Sequence, residues 1–193
     1  MKWLTRRGAV AALTVGLATV YGFGWRGFGL LLAFFISSSL LSETTTRNAR
    51  QVIANGGIAA LAAMLGSWVA FSGALAAATS DTWASEIGRH SRRPPRLITN
   101  GTPVPAGTDG GITFLGTAGG IAGALFIAVL ARVLVPGGFL ITVAVAGIAG
   151  MLLDSLLGAT LQGRLRWLDN DAVNLAATLG GAAAAIVATS LCG

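Results

Sequence analysis

Apolar and polar residues alternate along the chain in long blocks, so that seven apolar blocks are separated by shorter polar stretches. The apolar blocks cover residues 8–25, 27–42, 52–71, 73–88, 112–135, 139–161 and 172–192. Most of them approach the length of about 20 residues that a helix needs to cross a bilayer. The pattern predicts an all-α, polytopic transmembrane helical bundle of about seven spans, forming a single integral-membrane domain over residues 1–193. If the first block is instead a signal peptide, six spans remain, although residues 18–23 offer no clear small-x-small cleavage site.

The distribution of basic residues orients this bundle. In a seven-span arrangement, all of the 13 lysines and arginines except Arg26 and Arg132 fall on the side of the N-terminus. Basic loops of membrane proteins are retained in the cytoplasm. We therefore predict a cytoplasmic N-terminus and a functional site that faces the cytoplasm. The basic clusters lack the interleaved aromatic residues of a nucleic-acid surface, so no nucleic-acid partner is expected.

The composition agrees with a membrane protein and removes several classes of site. Hydrophobic residues make up 54% of the chain and charged residues only 10%, values typical of a polytopic membrane protein. The single cysteine, Cys192, excludes an intramolecular disulfide and a cysteine-based metal cluster. The only lysine, Lys2, lies at the terminus, so there is no Walker A loop. The lone His90 argues against a zinc or iron site and against a hydrolytic triad.

One apolar block carries an unusually polar run, residues 79–86, with the sequence Thr-Ser-Asp-Thr-Trp-Ala-Ser-Glu. An ionisable group inside a spanning helix is costly to insert and usually functional, so Asp81 is a candidate site residue. On a helix, Asp81 and Ser85 share one face, and Glu86 lies on the adjacent face. Glu86 has an alternative role, which is an ion pair with one of the basic residues that follow it.

Further polar side chains fall in or near the predicted cytoplasmic half of the bundle. Asp154 lies inside the sixth block, where a satisfied structural carboxyl is the alternative to a site residue. Asn174 lies near the start of the seventh block. Asn55 shares one helical stripe with Asn48 and Gln51, although such amides also serve as polar contacts between helices.

A glycine-rich turn, residues 107–111, precedes the fifth apolar block and reads Gly-Thr-Asp-Gly-Gly. If it leads directly into a helix that starts near Ile112, its backbone N–H groups and the positive helix end form an anion site. An ordinary loop at the start of a helix is the alternative.

Carboxylates beside arginines and a glycine-rich turn are the groups that a magnesium and phosphate site needs. Mg²⁺ takes one or two carboxylates together with phosphate oxygens, and arginine neutralises the remaining charge. A site at the membrane edge suits a substrate with a phosphate head and a long apolar tail. The second pKa of a phosphate monoester is about 6, so such a substrate is already a dianionic nucleophile and needs no histidine base.

Four motifs resemble those of an integral-membrane family that includes plant and cyanobacterial phytyl-phosphate kinases. They are Asp-Thr-Trp-Ala-Ser-Glu-Ile-Gly at 81–88, the 107–111 turn, Leu-Asp-Ser-Leu-Leu-Gly-Ala at 153–159 with Gln162, and Arg-Gln-Val-Ile-Ala-Asn-Gly at 50–56. The resemblance covers residues 46–185 in consistent order. It implies a kinase that transfers the γ-phosphoryl group of a nucleotide, expected to be CTP, to phytyl or geranylgeranyl phosphate with Mg²⁺ as cofactor.

From the residues and the resemblance together we expect the following roles. The carboxylates expected to act in catalysis are Asp81, Glu86, Asp109 and Asp154, and those expected to hold Mg²⁺, directly or through water, are Asp81, Glu86 and Asp154. The residues expected to bind nucleotide or substrate are Arg47, Arg50, Asn55, Ser85, Thr108, Gly110, Gly111 and Asn174. Among these, the arginines would contact phosphate charge and the glycines would cradle the nucleotide phosphates.

Two other functions are consistent with acidic residues in a membrane. A kinase acting on the free isoprenoid alcohol would need a carboxylate as general base, a role that Asp81 could fill. A small transporter is disfavoured because the sequence has no inverted repeat and its polar residues stop near Asp81. A purely structural protein would leave the group of acids unexplained.

Overall fold

The structure is a computed structural model, and it describes residues 3–42, 46–135 and 139–192. Within these residues the protein consists of six helices and one short antiparallel ribbon. The elements are α1 (Arg6–Leu41), α2 (Ala49–Met64), α3 (Trp68–Gly88), β1 (Arg96–Leu97), β2 (Gly111–Ile112), α4 (Phe114–Leu134), α5 (Leu140–Thr160) and α6 (Asn170–Cys192). Helices α1, α4, α5 and α6 are long and apolar enough to cross a membrane. The expected all-α architecture is therefore observed.

Helix α1 reverses direction at Gly24 and consists of two antiparallel arms, residues 6–23 and 25–41. Gly24 has φ 59° and ψ −153°, a conformation that glycine adopts without steric cost. The rings of Trp3 and Phe35 lie 6.0 Å apart, and a Cβ at Gly16 would lie 3.3 Å from Phe28. In a straight helix, residues 16 and 28 would be separated by about 18 Å. The reversal separates the first two predicted apolar blocks.

The predicted boundary between the third and fourth blocks is wrong. Helix α2 ends at Met64 and α3 begins at Trp68, whereas the apolar pattern placed residues 68–71 in the earlier span. Gly66 has φ +72°, and the Ser67 side chain accepts a hydrogen bond from the Ala70 N–H at 3.4 Å. A left-handed glycine followed by a serine N-cap ends one helix and starts the next.

Helix α3 lies at the centre of the bundle and contacts all five other helices. Its residues 70–80 are all buried. Small residues allow this close packing, because a Cβ at Gly120 of α4 would lie 3.0 Å from the Ser80 carbonyl oxygen. The Ser80 hydroxyl donates to the Gly120 carbonyl at 2.8 Å. Glycine at a helix crossing and an interhelical hydroxyl bond are both typical of packing in membranes.

The remaining helices lie close to their predicted positions. Helices α4, α5 and α6 differ from the fifth, sixth and seventh apolar blocks by at most two residues at each described end. Helices α3 and α5 end on the same side of the bundle as the loop between Arg89 and Thr113, because α4 runs antiparallel between them. This side carries the polar groups described next.

Candidate functional site

An acidic pair is formed by Asp81 of α3 and Asp154 of α5. Their carboxyl groups lie within hydrogen-bonding reach of each other, and Asp109 lies near enough to interact electrostatically with Asp154. The Asp154 Oδ1 atom is buried and has no hydrogen-bond partner in the described part of the chain. Asp81 is seven residues before the end of α3 and Asp154 six residues before the end of α5, which places both about 10 Å inside the bundle.

The acidic pair lines a cavity of about 520 Å³ that extends to the surface beneath the loop between α3 and α4. This cavity, which we call the polar cavity, is walled by α3, α4, α5 and that loop. Its charged lining residues are Asp81, Asp109, Asp154, Arg89, Arg92 and Arg93. Ser85 also lines it, as the shared helical face with Asp81 predicts. The polar cavity thus brings three carboxylates and three guanidinium groups together.

The glycine-rich turn lines the polar cavity, but it does not lead directly into a helix. Gly111–Ile112 forms strand β2, paired with Arg96–Leu97. Helix α4 begins at Phe114, and its N-cap Thr113 accepts a hydrogen bond from the Gly116 N–H at 2.9 Å. The predicted helix start near Ile112 is therefore wrong, because a short strand and a threonine cap lie between turn and helix.

The turn instead packs against the end of α5. Gly110 has φ +73°, and a Cβ there would overlap Ala159. The Gly111 N–H donates to the Thr108 carbonyl at 3.0 Å, and the Thr108 hydroxyl donates to the Pro105 carbonyl at 2.8 Å. These two groups, which were expected to cradle phosphates, are engaged within the loop. The close contact at Gly110 holds the neighbouring Asp109 beside Asp154.

Glu86 is not brought to the acidic pair. It is 9% exposed and does not line the polar cavity. Its carboxylate accepts a hydrogen bond from Ser42 at 3.1 Å and pairs with Arg89 at 2.9 Å. The alternative of an ion pair with a following basic residue is thus the one observed. Within the described residues, no three His, Cys, Asp or Glu side chains are arranged to hold a metal ion by themselves.

Arg47 lies near Glu86 and does not line the polar cavity. Its guanidinium group packs against the rings of Phe34 and Phe35, 5.8 and 5.6 Å from their centroids. Burial lowers the pKa of Arg47, and the charge of Glu86 partly opposes this effect. The side chain is therefore a partly desolvated cation.

A second cavity, of about 380 Å³, lies between the two arms of α1 and the start of α2. We call it the apolar cavity, because nearly all of its lining side chains are hydrocarbon. Its polar lining residues are Arg47, Gln51 and Asn55. Asn55 donates through Nδ2 to the Gln51 carbonyl at 2.9 Å. Two of the predicted ligand-binding residues, Arg47 and Asn55, thus share a cavity that is distinct from the polar one.

Arg50 and Asn174 line neither cavity. Arg50 pairs with Asp169 at 2.6 Å and with Asp171 at 3.6 Å, joining the start of α2 to that of α6. The Ala172 N–H and the Arg50 guanidinium hold the pKa of Asp169 below its usual range. Asn174 is partly buried in the first turns of α6. The structure therefore places Arg50 in a surface ion-pair cluster.

The arginines of the loop were not among the residues predicted from the sequence to form the site. Arg89, Arg92 and Arg93 line the polar cavity, and all three follow the acidic run by a few residues. The sequence feature that could have indicated their position is the neighbouring Pro94–Pro95, because two prolines restrict the path of a short loop. Gln162, from the loop before α6, and Asn170, the first residue of α6, line the same cavity.

Comparison with known proteins identifies relatives over nearly the whole chain. The family described as integral membrane protein DUF92 matches residues 1–182. An uncharacterized membrane protein of Methanocaldococcus jannaschii is 38% identical over 197 residues, covering 92% of this chain and 82% of its own length. An uncharacterized membrane protein of Synechocystis sp. is 32% identical over 212 residues, covering 96% of this chain and 82% of its own length.

A plant protein is also similar. Protein VTE6, chloroplastic, of Arabidopsis thaliana is 26% identical over 204 residues, covering 89% of this chain and 61% of its own length. No solved structure is significantly similar to the chain. These matches confirm the resemblance to an integral-membrane family that the sequence motifs indicate.

Proposed function

The chain belongs to the DUF92 family of integral membrane proteins, and we propose that it is a kinase that transfers the γ-phosphoryl group of CTP to an isoprenoid monophosphate. The acceptor would be phytyl or geranylgeranyl phosphate, and the product the diphosphate. The motif resemblance to phytyl-phosphate kinases and the similarity to VTE6 support the reaction class. The observation that carries the proposal is the convergence of Asp81, Asp154 and Asp109 with three arginines on one cavity.

The acidic pair fits a magnesium ion. Two carboxyl groups in contact, one of them with a buried oxygen that has no described partner, favour either a bound proton or a bound cation. Mg²⁺ is usually held by one or two carboxylates and completes its shell with water and phosphate oxygens. Asp81 and Asp154 would hold the ion, and Asp109 lies close enough to join them through water. When bound, Mg²⁺ neutralises charge on the nucleotide phosphates.

The protein's own groups would position the reactants. Arg92 and Arg93 on the loop and Arg89 at the end of α3 would bind the nucleotide phosphates, because guanidinium groups donate two parallel hydrogen bonds to phosphate. The acceptor monophosphate is itself a dianion at neutral pH. The protein therefore needs to align it and exclude water, and needs no general base. The loop across the polar cavity suits the exclusion of water.

The proposed topology has seven spans and a cytoplasmic N-terminus. The two arms of α1 together with α2, α3, α4, α5 and α6 supply the seven segments. This arrangement puts the polar cavity and the Arg47 end of the apolar cavity on the side that carries most basic residues. A site on that side has access to cytoplasmic nucleotide and to a substrate dissolved in the membrane.

Transfer of labelled phosphate tests the proposal. Purified protein in detergent with Mg²⁺ and CTP labelled in the γ-phosphate is mixed with geranylgeranyl phosphate, phytyl phosphate or the corresponding alcohols. We expect diphosphate from the monophosphates, no product from the alcohols, and loss of the reaction in Asp81→Asn. The matched control is Asp169→Asn, which alters an exposed carboxylate outside both cavities. Product from the alcohols alone would establish an alcohol kinase, and no product from folded protein with any nucleotide would refute the kinase proposal.

A further inference from the structure

We infer that the apolar cavity binds the hydrocarbon chain of the isoprenoid monophosphate, with the phosphate group at Arg47. This inference rests on the proposed function and adds a separate binding site for the acceptor. It divides the substrates between two cavities, so that the nucleotide occupies the polar cavity and the lipid occupies the space between the arms of α1 and α2.

The dimensions of the apolar cavity suit a flexible hydrocarbon chain. Its volume of about 380 Å³ lies in the range of ligand-binding cavities, roughly 300–1,000 Å³. Lining residues on the second arm of α1 extend from Trp25 to Phe35. Ten residues of helix span about 15 Å, which is about half the hydrocarbon thickness of a bilayer.

The cavity also opens towards the position of the lipid. Leu13, Leu17 and Trp25 line it and are nevertheless 62%, 61% and 78% exposed on the outer surface of the protein. Large apolar side chains with this exposure face hydrocarbon in a membrane-embedded helix. A chain dissolved in the bilayer can therefore enter from the side without crossing a polar surface.

The polar end of the cavity complements a phosphate group. Arg47, Gln51 and Asn55 lie together there. The Asn55 amide donates to the Gln51 carbonyl and Gln51 Oε1 accepts from the Asn48 N–H, which leaves the Arg47 guanidinium group as the main donor, with the Gln51 Nε2–H group beside it. In the described residues, no carboxylate lies within ion-pair distance of Arg47. A partly desolvated cation with this environment is a strong site for a dianion.

A chain of charged groups connects the two cavities. Arg89 lines the polar cavity and pairs with Glu86 at 2.9 Å, and Glu86 interacts electrostatically with Arg47 of the apolar cavity. Because Arg89 balances the charge of Glu86, the carboxylate does not cancel the attraction of Arg47 for phosphate. Arg89 and Arg47 both approach Glu86, so the nucleotide γ-phosphate at Arg89 and the acceptor phosphate at Arg47 would meet beside this residue, as direct transfer requires.

Photoaffinity labelling tests the location without requiring turnover. The probe is geranylgeranyl monophosphate with a diazirine in its chain, bound to the full protein in detergent without nucleotide. We expect labelled peptides from both arms of α1 and from the start of α2, and competition by unlabelled geranylgeranyl phosphate. Labelling restricted to α4, α5 or α6 would overturn the inference. Equal competition by phosphatidic acid would also overturn it, because the cavity would then be a general lipid site.

A matched pair of variants tests the fit of the chain. Ala12 lines the apolar cavity, and Ala9 lies exposed on the same arm without lining it. Ala12→Phe should weaken binding of geranylgeranyl phosphate about tenfold, because the new ring would displace about two methylene groups of the ligand from the cavity. Ala9→Phe should weaken binding less than about twofold. Equal effects of the two changes would overturn the inference. If Ala12→Phe does not fold, Val20→Phe inside the cavity and Val10→Phe outside it make the same comparison.

A head-group variant separates this inference from the proposed reaction. Arg47→Gln should weaken binding of the monophosphate about tenfold and leave binding of geranylgeraniol unchanged, because only the monophosphate carries charge. Equal loss for both ligands would refute phosphate binding at Arg47. Labelling of α1 without any phosphate transfer would refute only the proposed function, and transfer with labelling elsewhere would refute only the location of the acceptor.

Discussion

Asp154→Asn should inactivate the protein and stabilise it at the same time when divalent cations are absent. The variant changes one oxygen to an amide nitrogen in a side chain that contacts the carboxyl group of Asp81. The new amide group can donate a hydrogen bond to Asp81, whereas two ionised carboxylates can only repel each other. If Asp81 and Asp154 bind a cation, Asp154 is needed for function although it lowers the stability of the protein without the cation.

The size of the effect follows from the contact between the acids. Two unit charges about 4 Å apart interact by about 4 kcal/mol at an effective dielectric constant of about 20. A proton shared by the pair removes much of this repulsion. We therefore expect Asp154→Asn to raise the free energy of unfolding by about 1–2 kcal/mol without divalent cations. For a protein of this size, that corresponds to an increase of roughly 2–8 °C in the thermal midpoint.

Magnesium should reverse the order of stability. Ligand at 100 times its dissociation constant stabilises a native protein by about 2.7 kcal/mol, and this gain requires both acids. Thermal unfolding in detergent is therefore measured with EDTA and with saturating Mg²⁺, for the wild type, Asp154→Asn and the control Asp169→Asn. The control loses a carboxylate that pairs with Arg50, so it should not be more stable than the wild type, either in EDTA or in Mg²⁺.

Two results would contradict this explanation. If Asp154→Asn is destabilised in EDTA by as much as it is in Mg²⁺, the pair is a satisfied structural contact and not a cation site. If Mg²⁺ stabilises the variant as much as the wild type, the ion binds elsewhere.

Three further predictions concern the surroundings of the site. Gly110→Ala should lower the thermal midpoint and the rate of phosphate transfer, because φ is +73° and a Cβ would overlap Ala159, a combination that costs about 2–3 kcal/mol. Gly107→Ala is the control for backbone strain alone, since a Cβ there meets nothing within 4 Å. An equal effect of the two changes would refute the packing role of Gly110. Arg93→Gln should raise the KM for CTP about tenfold with an unchanged thermal midpoint, and an unchanged KM would remove this arginine from the nucleotide site. The pKa of Asp169 is lowered, so the contribution of its carboxylate to stability is present above the unfolded-state pKa of about 3.9 and is lost as the pH falls through the lowered pKa. The difference in thermal midpoint between wild type and Asp169→Asn should therefore shrink as the pH is lowered through this range. A difference that stays constant with pH would refute a stabilising role of this ion pair.

Most of the helical segments were predictable because a long apolar run has few alternatives in a membrane. The fifth, sixth and seventh blocks match α4, α5 and α6 within one or two residues at the described ends. The boundary near Gly66 was missed because apolar residues continue on both sides of it, and hydrophobicity alone does not distinguish a turn from a helix. Gly66 and Ser67 carry the signal, but it is a local one.

The site was predictable to the extent that it depends on helical spacing. Asp81 and Ser85 face the same cavity because they are four residues apart. The exclusion of Glu86 from the cavity that Asp81 lines could not be predicted, because it depends on which neighbouring helix covers each side of α3. The short ribbon that delays the start of α4 was likewise hidden, since two paired residues leave no periodic pattern.

The position of α3 has a consequence for how the protein is made. Residues 70–80 of α3 are all buried by other helices, and α3 is not among the four helices that are apolar enough to cross a membrane by composition. A segment with this content partitions weakly into lipid by itself. Its stable integration during synthesis would therefore depend on α4 and α5, which emerge later from the ribosome, so that insertion and folding of the bundle are coupled.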